Sequence, residues 1–223
     1  MKNIWITGGS RGIGLETVRA FLADNFTVVV LTRNCNALSG LLEQYPETLI
    51  CKSIDLTNIR EDDLPKLQVD ALINNAGTLI NKSFDSITSE DLHVVYRTNV
   101  FGPIHLIQKL MSQFSQGVHV VNISSVGGVT GSVKFPGLSA YSSSKGSLSI
   151  LTECLQVEYS ESTNWTFNCL ALGAVQTEML EKAFPGYQAP VHPEQMAKYI
   201  KHFTLNNHRV MKGKVVEVSL SKP

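Results

Sequence analysis

The chain of 223 residues predicts an α/β fold, one domain over residues 1–223 built as a doubly wound parallel sheet with helices on both faces. About seven strands are expected from the pattern. Three observations carry this. Apolar β-type runs alternate with helical patterns along the whole length, the order that parallel strands with crossover helices produce. The runs are nearly continuously apolar, as in Val118-His119-Val120-Val121-Asn122-Ile123, which a sheet covered on both faces requires. A glycine-rich turn separates the first strand from the first helix, and such a turn gathers backbone N–H groups around an anion.

Residues 3–7 form the first strand. Gly8-Gly9-Ser10-Arg11-Gly12-Ile13-Gly14 follows, leading into a helix over 13–24. The glycines at 8, 12 and 14 do not match G-x-G-x-x-G, yet strand, turn and helix stand in the order that cradles phosphate. A plain tight turn is the alternative. The second strand, 27–32, runs into Thr32-Arg33-Asn34, about 20 residues past the glycines, where the choice between NAD and NADP is made. An acid there would hold a ribose 2′-hydroxyl. Arg33 instead offers a charge-assisted hydrogen bond to a 2′-phosphate, and Arg11 reaches the same region. The expected cofactor is NADP(H); two solvated surface arginines are the other reading.

A helix over 36–44, a strand over 48–52, a helix over 60–66 and a strand over 69–74 come next. One long helix is expected over 88–114, then a strand over 117–124 and a helix over 141–160. Tyr141 and Lys145 begin that helix four residues apart, hence on one face. A tyrosine beside an ammonium has its phenolate favoured, and the pair can move a proton in carbonyl chemistry. A surface pair is the bland reading. A strand over 165–171, helices over 178–184 and 193–206, and a strand over 214–219 complete the order. Ligands bind at the carboxyl ends of such strands, where Thr7, Asn74 and Ser125 fall.

The formal net charge is zero, so no basic field exists to draw nucleic acid or an anionic membrane. No stretch approaches the ~20 apolar residues of a membrane span. The N-terminus enters a strand at once and reads as no signal peptide. Cys35, Cys51, Cys154 and Cys169 are scattered without a C-x-x-C pair, which suits buried thiols in a reduced, cytoplasmic setting. The histidines show no metal-ligand spacing, and His93, His105 and His119 read as surface or satisfied core groups.

These motifs, in this order, resemble the classical short-chain dehydrogenases/reductases over essentially the whole chain. The resemblance implies a Rossmann-type fold in which Thr7 to Gly14 form the cofactor loop. Asp55-Leu56 would contact adenine, and Asn74-Asn75-Ala76-Gly77 would stabilise the sheet beside the cofactor. Asn99 would position a water that links Lys145 to solvent protons. Ser125 would hold the substrate oxygen, with Ser124 the competing candidate, since neighbouring strand residues face opposite ways. Tyr141 would be the acid, and Lys145 would lower its pKa and bind the nicotinamide ribose. Gly173, Val175 and Thr177 would lie at the nicotinamide, Thr177 on its carboxamide or, in the bland reading, as a helix N-cap. Asp55 has a bland reading as a cap, Asn74 and Asn75 as turn formers, and Asn99 as a helix asparagine without a task.

Two departures from the family pattern stand out. Leu172-Gly173 replaces the usual Pro-Gly, so a somewhat looser nicotinamide loop is expected. The stretch from Ser125 to Tyr141 is longer than usual, and its Lys134-Phe135-Pro136-Gly137-Leu138 should line the substrate mouth. Met179, Leu180, Phe184 and Tyr187 either face an apolar substrate or pack against the body. The leading expectation is NADP-dependent hydride transfer between cofactor and a small carbonyl or alcohol. A catalytically quiet NADP(H) sensor and an NAD-dependent alcohol dehydrogenase are the alternatives. Two apolar stripes on the helix after Tyr141, one of them Ile150, Cys154 and Val157, predict a homodimer or homotetramer; the Gly213–Pro223 strand is a candidate for further contacts.

Overall fold

The computed structural model describes residues 2–220. Seven strands form a single parallel sheet: β1 (Asn3–Thr7), β2 (Thr27–Thr32), β3 (Leu49–Ser53), β4 (Val69–Asn74), β5 (Phe114–Ser125), β6 (Thr166–Leu172) and β7 (Val215–Val218). Their order is β3-β2-β1-β4-β5-β6-β7. The chain winds outward from β1 to β3, then crosses back to β4 on the other side of β1. The crevice at the carboxyl ends of β1 and β4 is therefore the topological switch point. Residues 221–223, the end of the expected C-terminal strand contact, lie outside the described residues.

Strand alternation divides the core in two. Ile4 and Ile6 of β1, with Val28, Val30, Ile73, Val121 and Ile123, face α1 (Gly12–Leu22) and α7 (Pro193–Asn206). Trp5, between those two isoleucines, points the other way with Val29, Leu31 and Leu72 toward α4 (Gly102–Leu110). Each central strand is thus apolar on both sides, the reason its sequence reads as a continuous run. The remaining helices are α2 (Ser39–Gln44), α3 (Ser89–Tyr96), α5 (Ser139–Tyr159) and α6 (Glu178–Ala183).

Two expected helices are corrected. The segment 60–66 forms only a short 3₁₀ turn at Glu61–Asp63. Pro65 disfavours a helical conformation at Leu64, so the turn cannot propagate. The segment 88–114 is not one helix. Thr88 caps α3 through a capping box with Asp91, but Arg97–Phe101 widens into a π-turn before α4 begins. Pro103 has no N–H for the carbonyl of Asn99, four residues back, and its ring would crowd that oxygen. The chain accommodates by an i→i+5 bond from the Gly102 N–H to the Arg97 carbonyl. Phe114, expected at the helix end, already belongs to β5.

The cysteine reading is also corrected. Cys35 and Cys51 form a disulfide, with Cα atoms 5.9 Å apart, joining the segment after β2 to the edge strand β3. Cys154 is exposed, and only Cys169 is a buried thiol. The thiol argument for a reducing compartment therefore falls away. Among the described residues no helix is long and apolar enough to cross a membrane, and no cluster of His, Cys, Asp and Glu is arranged for a metal ion.

Candidate active site at the switch point

A cleft of about 570 Å³ runs along the carboxyl ends of the strands, from Arg33 and Asp55 at one end to Leu180 and Phe184 at the other. The glycine turn forms its floor. Gly8 has φ of 69°, and a Cβ there would stand 2.8 Å from the Ala76 Cα. Gly12, at φ of 54°, faces Thr177 across the cleft. Both positions need glycine for conformation, and Gly8 also for close approach. The turn is strapped to β4: the Asn75 Nδ2 donates to the carbonyls of Thr7 (3.0 Å) and Gly8 (3.2 Å), and the Ala76 N–H donates to the Thr7 Oγ1 at 2.9 Å. Asn75 is therefore a strut, more than a turn former. Asn74 donates to the Asn122 Oδ1 at 2.8 Å and ties β4 to β5. Ser10, Ile13 and Gly14 line the cleft beside these groups.

At the Arg33 end, the Thr32 hydroxyl donates to the Ser10 hydroxyl at 3.1 Å. Asp55 accepts from the Thr57 N–H at 2.9 Å, the capping role, and also lines the cleft with Leu56. That backbone bond, with a smaller contribution from the Arg33 charge, holds its carboxyl below the usual range. Arg11 is not free: its Nη1 lies 3.4 Å from the Glu178 Oε2 on α6.

At the other end the strand and helix termini bring the chemistry together. Tyr141 and Lys145 project from one face of α5, with the Lys145 Nζ 5.8 Å from the tyrosine ring centre. The Ser125 hydroxyl lies beside the Tyr141 phenol and lowers its pKa a little, whereas Ser124 turns away and donates to the Lys145 carbonyl at 2.8 Å. The strand alternation thus puts Ser125 on the cleft side and Ser124 behind α5. The Lys145 Nζ donates to the Ile123 carbonyl at 2.7 Å. Burial lowers the Lys145 pKa to about 8.

Burial pushes the Tyr141 phenol up to about 12, against the hydrogen bond from Ser125. This corrects the expected lowering by Lys145. Desolvation of the phenolate dominates, and the ammonium is turned onto Ile123 rather than onto the phenol.

Asn99, fully buried in the π-turn, uses its amide on both sides. Its Oδ1 accepts from the Thr78 N–H at 2.8 Å; its Nδ2 donates to the Thr78 carbonyl and the Ser144 hydroxyl, each at 2.9 Å. It clamps the segment after β4 to α5. A Cβ on Gly77 would lie 3.3 Å from the Lys145 Nζ and 3.4 Å from the Asn99 Oδ1, so Gly77 leaves the space between them open.

Thr177 accepts from the Leu180 N–H at 3.2 Å as the N-cap of α6, and it lines the cleft with Gly173 and Val175. Both of its readings remain compatible with this placement. The loop root is not loose: Leu172 completes the β6 ladder opposite Val218, and the Gly173 N–H donates to the Val218 carbonyl at 2.9 Å.

Of the residues with two readings, Met179, Leu180 and Phe184 line the cleft and Tyr187 does not. Leu79 was missed; an apolar residue two positions past Gly77 was its only signal. Nothing in the spacing of Cys35 and Cys51 marked them as partners.

A short chain dehydrogenase family model matches residues 2–188. The chain belongs to that family. It is 31% identical over 166 residues to an uncharacterized oxidoreductase, YusZ, of Bacillus subtilis (strain 168), covering 69% of this chain and 58% of that one. It is 30% identical over 158 residues to carbonyl reductase [NADPH] 2 of Sus scrofa, covering 69% and 64%. The matched region therefore spans less than two thirds of either relative. A solved structure, 4-hydroxyisoleucine dehydrogenase complexed with NADH, superposes with a TM-score of 0.84 at 25% identity, covering 98% of this chain and 97% of that chain.

Proposed function

We propose that this chain is a one-domain, NADP(H)-dependent oxidoreductase that reduces a small ketone or aldehyde, with Tyr141 as the proton donor. The observation that carries the reading is the meeting of Ser125, Tyr141 and Lys145 at the end of a cleft whose floor is a phosphate-type glycine turn. The cradle fits a dinucleotide, because the backbone of Gly8 and Gly12 and the α1 N-terminus border the same space, with Gly8 packed against Ala76.

Gly12, Ile13 and Gly14 would hold the pyrophosphate, Arg33 and Arg11 the 2′-phosphate, and Asn75, Ala76, Val175 and Thr177 the nicotinamide side. When bound, NADPH supplies the hydride for the carbonyl carbon. Ser125 donates a hydrogen bond to the substrate oxygen, which strengthens as negative charge develops there. Tyr141 passes its proton to that oxygen. Its raised pKa keeps the phenol protonated and ready as an acid at neutral pH. Lys145, protonated below about pH 8, stabilises the phenolate left behind. Asn99 ties the Thr78 segment to Ser144, the neighbour of Lys145 on α5.

A second reading, tolerance of NAD(H), has its own support. Glu178 pairs with Arg11, and the Arg33 charge acts on Asp55, so neither arginine is without an acidic neighbour. The deciding experiment compares NADPH and NADH dissociation constants in wild type and Arg33→Ala. Wild type should favour NADPH by roughly tenfold or more, and the variant should lose most of that, since a hydrogen bond to a charged group contributes about 1.5–3 kcal/mol. Equal affinities in wild type would decide for the second reading. The same cleft predicts a small-molecule partner. The apolar stripe left on α5 supports assembly as a homodimer or homotetramer.

A further inference from the structure

The cleft segregates charge. Of the charged side chains that line it apart from Lys145, Arg11, Arg33 and Asp55 sit along the turn and strand ends that would hold the cofactor, and Glu178, at the start of α6, is paired with Arg11. Beyond Tyr141 the lining is mostly apolar, with Leu79, Leu138, Met179, Leu180, Phe135 and Phe184 joined by Ser142. Lys134, in the strap over this mouth, is turned away from it. Its Nζ donates to the Val129 carbonyl at 2.7 Å and to the Ser132 hydroxyl at 2.6 Å, closing its own loop.

The roof is aromatic. Phe135 and Phe184 meet edge to face, ring centres 6.0 Å apart, bridging the strap and α6. Two polar contacts fix the frame around them: the Asn81 Nδ2 donates to the Ala183 carbonyl at 2.9 Å, and the Lys82 N–H donates to the Gly137 carbonyl at 3.0 Å. An aromatic group entering here extends an edge-to-face cluster. A carboxylate entering here loses its water, and the nearest cation, Lys145, is already held on the Ile123 carbonyl.

Resting on the reductase reading above, we infer that the substrate is an uncharged ketone or aldehyde bearing an aryl or bulky alkyl group, and that 2-oxo acids and other anionic carbonyl compounds are rejected. Phe135 and Phe184 select the substituent. Among the described residues no further cation lines this end, and the commitment of Lys145 to the Ile123 carbonyl sets the discrimination against anions.

The test uses the full chain with NADPH and a matched pair: the phenyl methyl 1,2-diketone and benzoylformate, which carries a carboxylate in place of the acetyl group. Wild type should show kcat/KM for the diketone at least about tenfold above that for benzoylformate. Calorimetric titration of the two compounds into the NADP⁺-loaded protein should show the same order of affinity. Leu180→Arg should narrow the gap by improving benzoylformate, and Phe184→Ala should raise KM for the diketone by roughly tenfold. Equal or reversed preference in wild type, with turnover intact, overturns this inference and leaves the reductase reading standing. Tight NADPH binding without turnover of any carbonyl compound overturns both.

Discussion

At Lys145 two demands meet in one ammonium. It must be buried to lie beside Tyr141, and burial brings its pKa down to about 8. In the proposed reaction it must also be charged to stabilise a phenolate. The reductive kcat/KM should therefore fall as pH rises through about 8, because deprotonation removes the charge; Tyr141, near 12, stays protonated through that window. A kcat/KM profile flat to pH 10 would contradict this role. Tyr141→Phe removes the donor but keeps the ring. It should lower turnover by about 10²–10⁴ while leaving cofactor binding near normal. Wild-type turnover in that variant would exclude Tyr141 as the acid. A lone pair so spaced would more often be a surface pair; both residues were legible from their spacing taken together with the glycine turn and Ser125. The direction of the tyrosine's shift was not, since it depends on how deeply α5 is buried.

Among the elements, β5 shows how a buried polar group joins layers. His119 sits within it, its Nδ1 2.9 Å from the Thr204 carbonyl of α7 and its Nε2 3.0 Å from the Asn168 Nδ2 of β6. It reads as the satisfied core group expected. Burial lowers its pKa to about 4 from 6.5. Between those values the unfolded chain takes up a proton that the fold refuses. The contribution to stability is complete above about pH 6.5 and is lost as pH falls toward 4. The gap corresponds to about 3 kcal/mol. Denaturant titrations from pH 7 to 4 should show that loss, and His119→Gln should flatten the slope.

The Cys35–Cys51 bond is a second device at this scale. It closes a 16-residue separation between the end of β2 and an edge strand. Constraining the unfolded chain over such a loop contributes about 3 kcal/mol. Cys35→Ser, or wild type under dithiothreitol, should melt several degrees lower. An unchanged melting temperature would mean that the crosslink does not constrain the chain.

For the whole molecule the question is what covers α5. Ile150 is 60% exposed, Val157 is 76% exposed and Cys154 lies between them, while Leu148 on the opposite side is buried. Of the two stripes that the sequence showed, Leu148, Leu151 and Leu155 on one and Ile150, Cys154 and Val157 on the other, the fold leaves the second outside. Phe101, half exposed against His105 beside the π-turn, is a further apolar residue on the neighbouring helical segment. A second copy about a two-fold axis would bury such a surface. Sedimentation at micromolar concentration should give a dimer or larger species, and Ile150→Glu with Val157→Glu should give monomers. A wild-type monomer that stays so with NADP⁺ bound would exclude the assembly.

The sequence by itself determined the seven strands, their parallel sense and which residues meet at the cleft, because each rests on local information. Two-sided apolar runs, a glycine turn before a helix and a four-residue spacing on a helix are readable without knowing what lies across the molecule. What only the tertiary structure decided involves partners distant in the chain. It turned Ser124 behind α5 and Ser125 into the cleft, and it raised the Tyr141 pKa where a neighbouring charge alone would have lowered it. It placed Glu178 against Arg11 across 167 positions and joined Cys35 to Cys51. It also split 88–114 at the π-turn, where Pro103 offered a local hint and the Asn99 clamp on Thr78 and Ser144 shows what the break positions. Burial and long-range pairing are properties of the packed whole, and no window of sequence contains them.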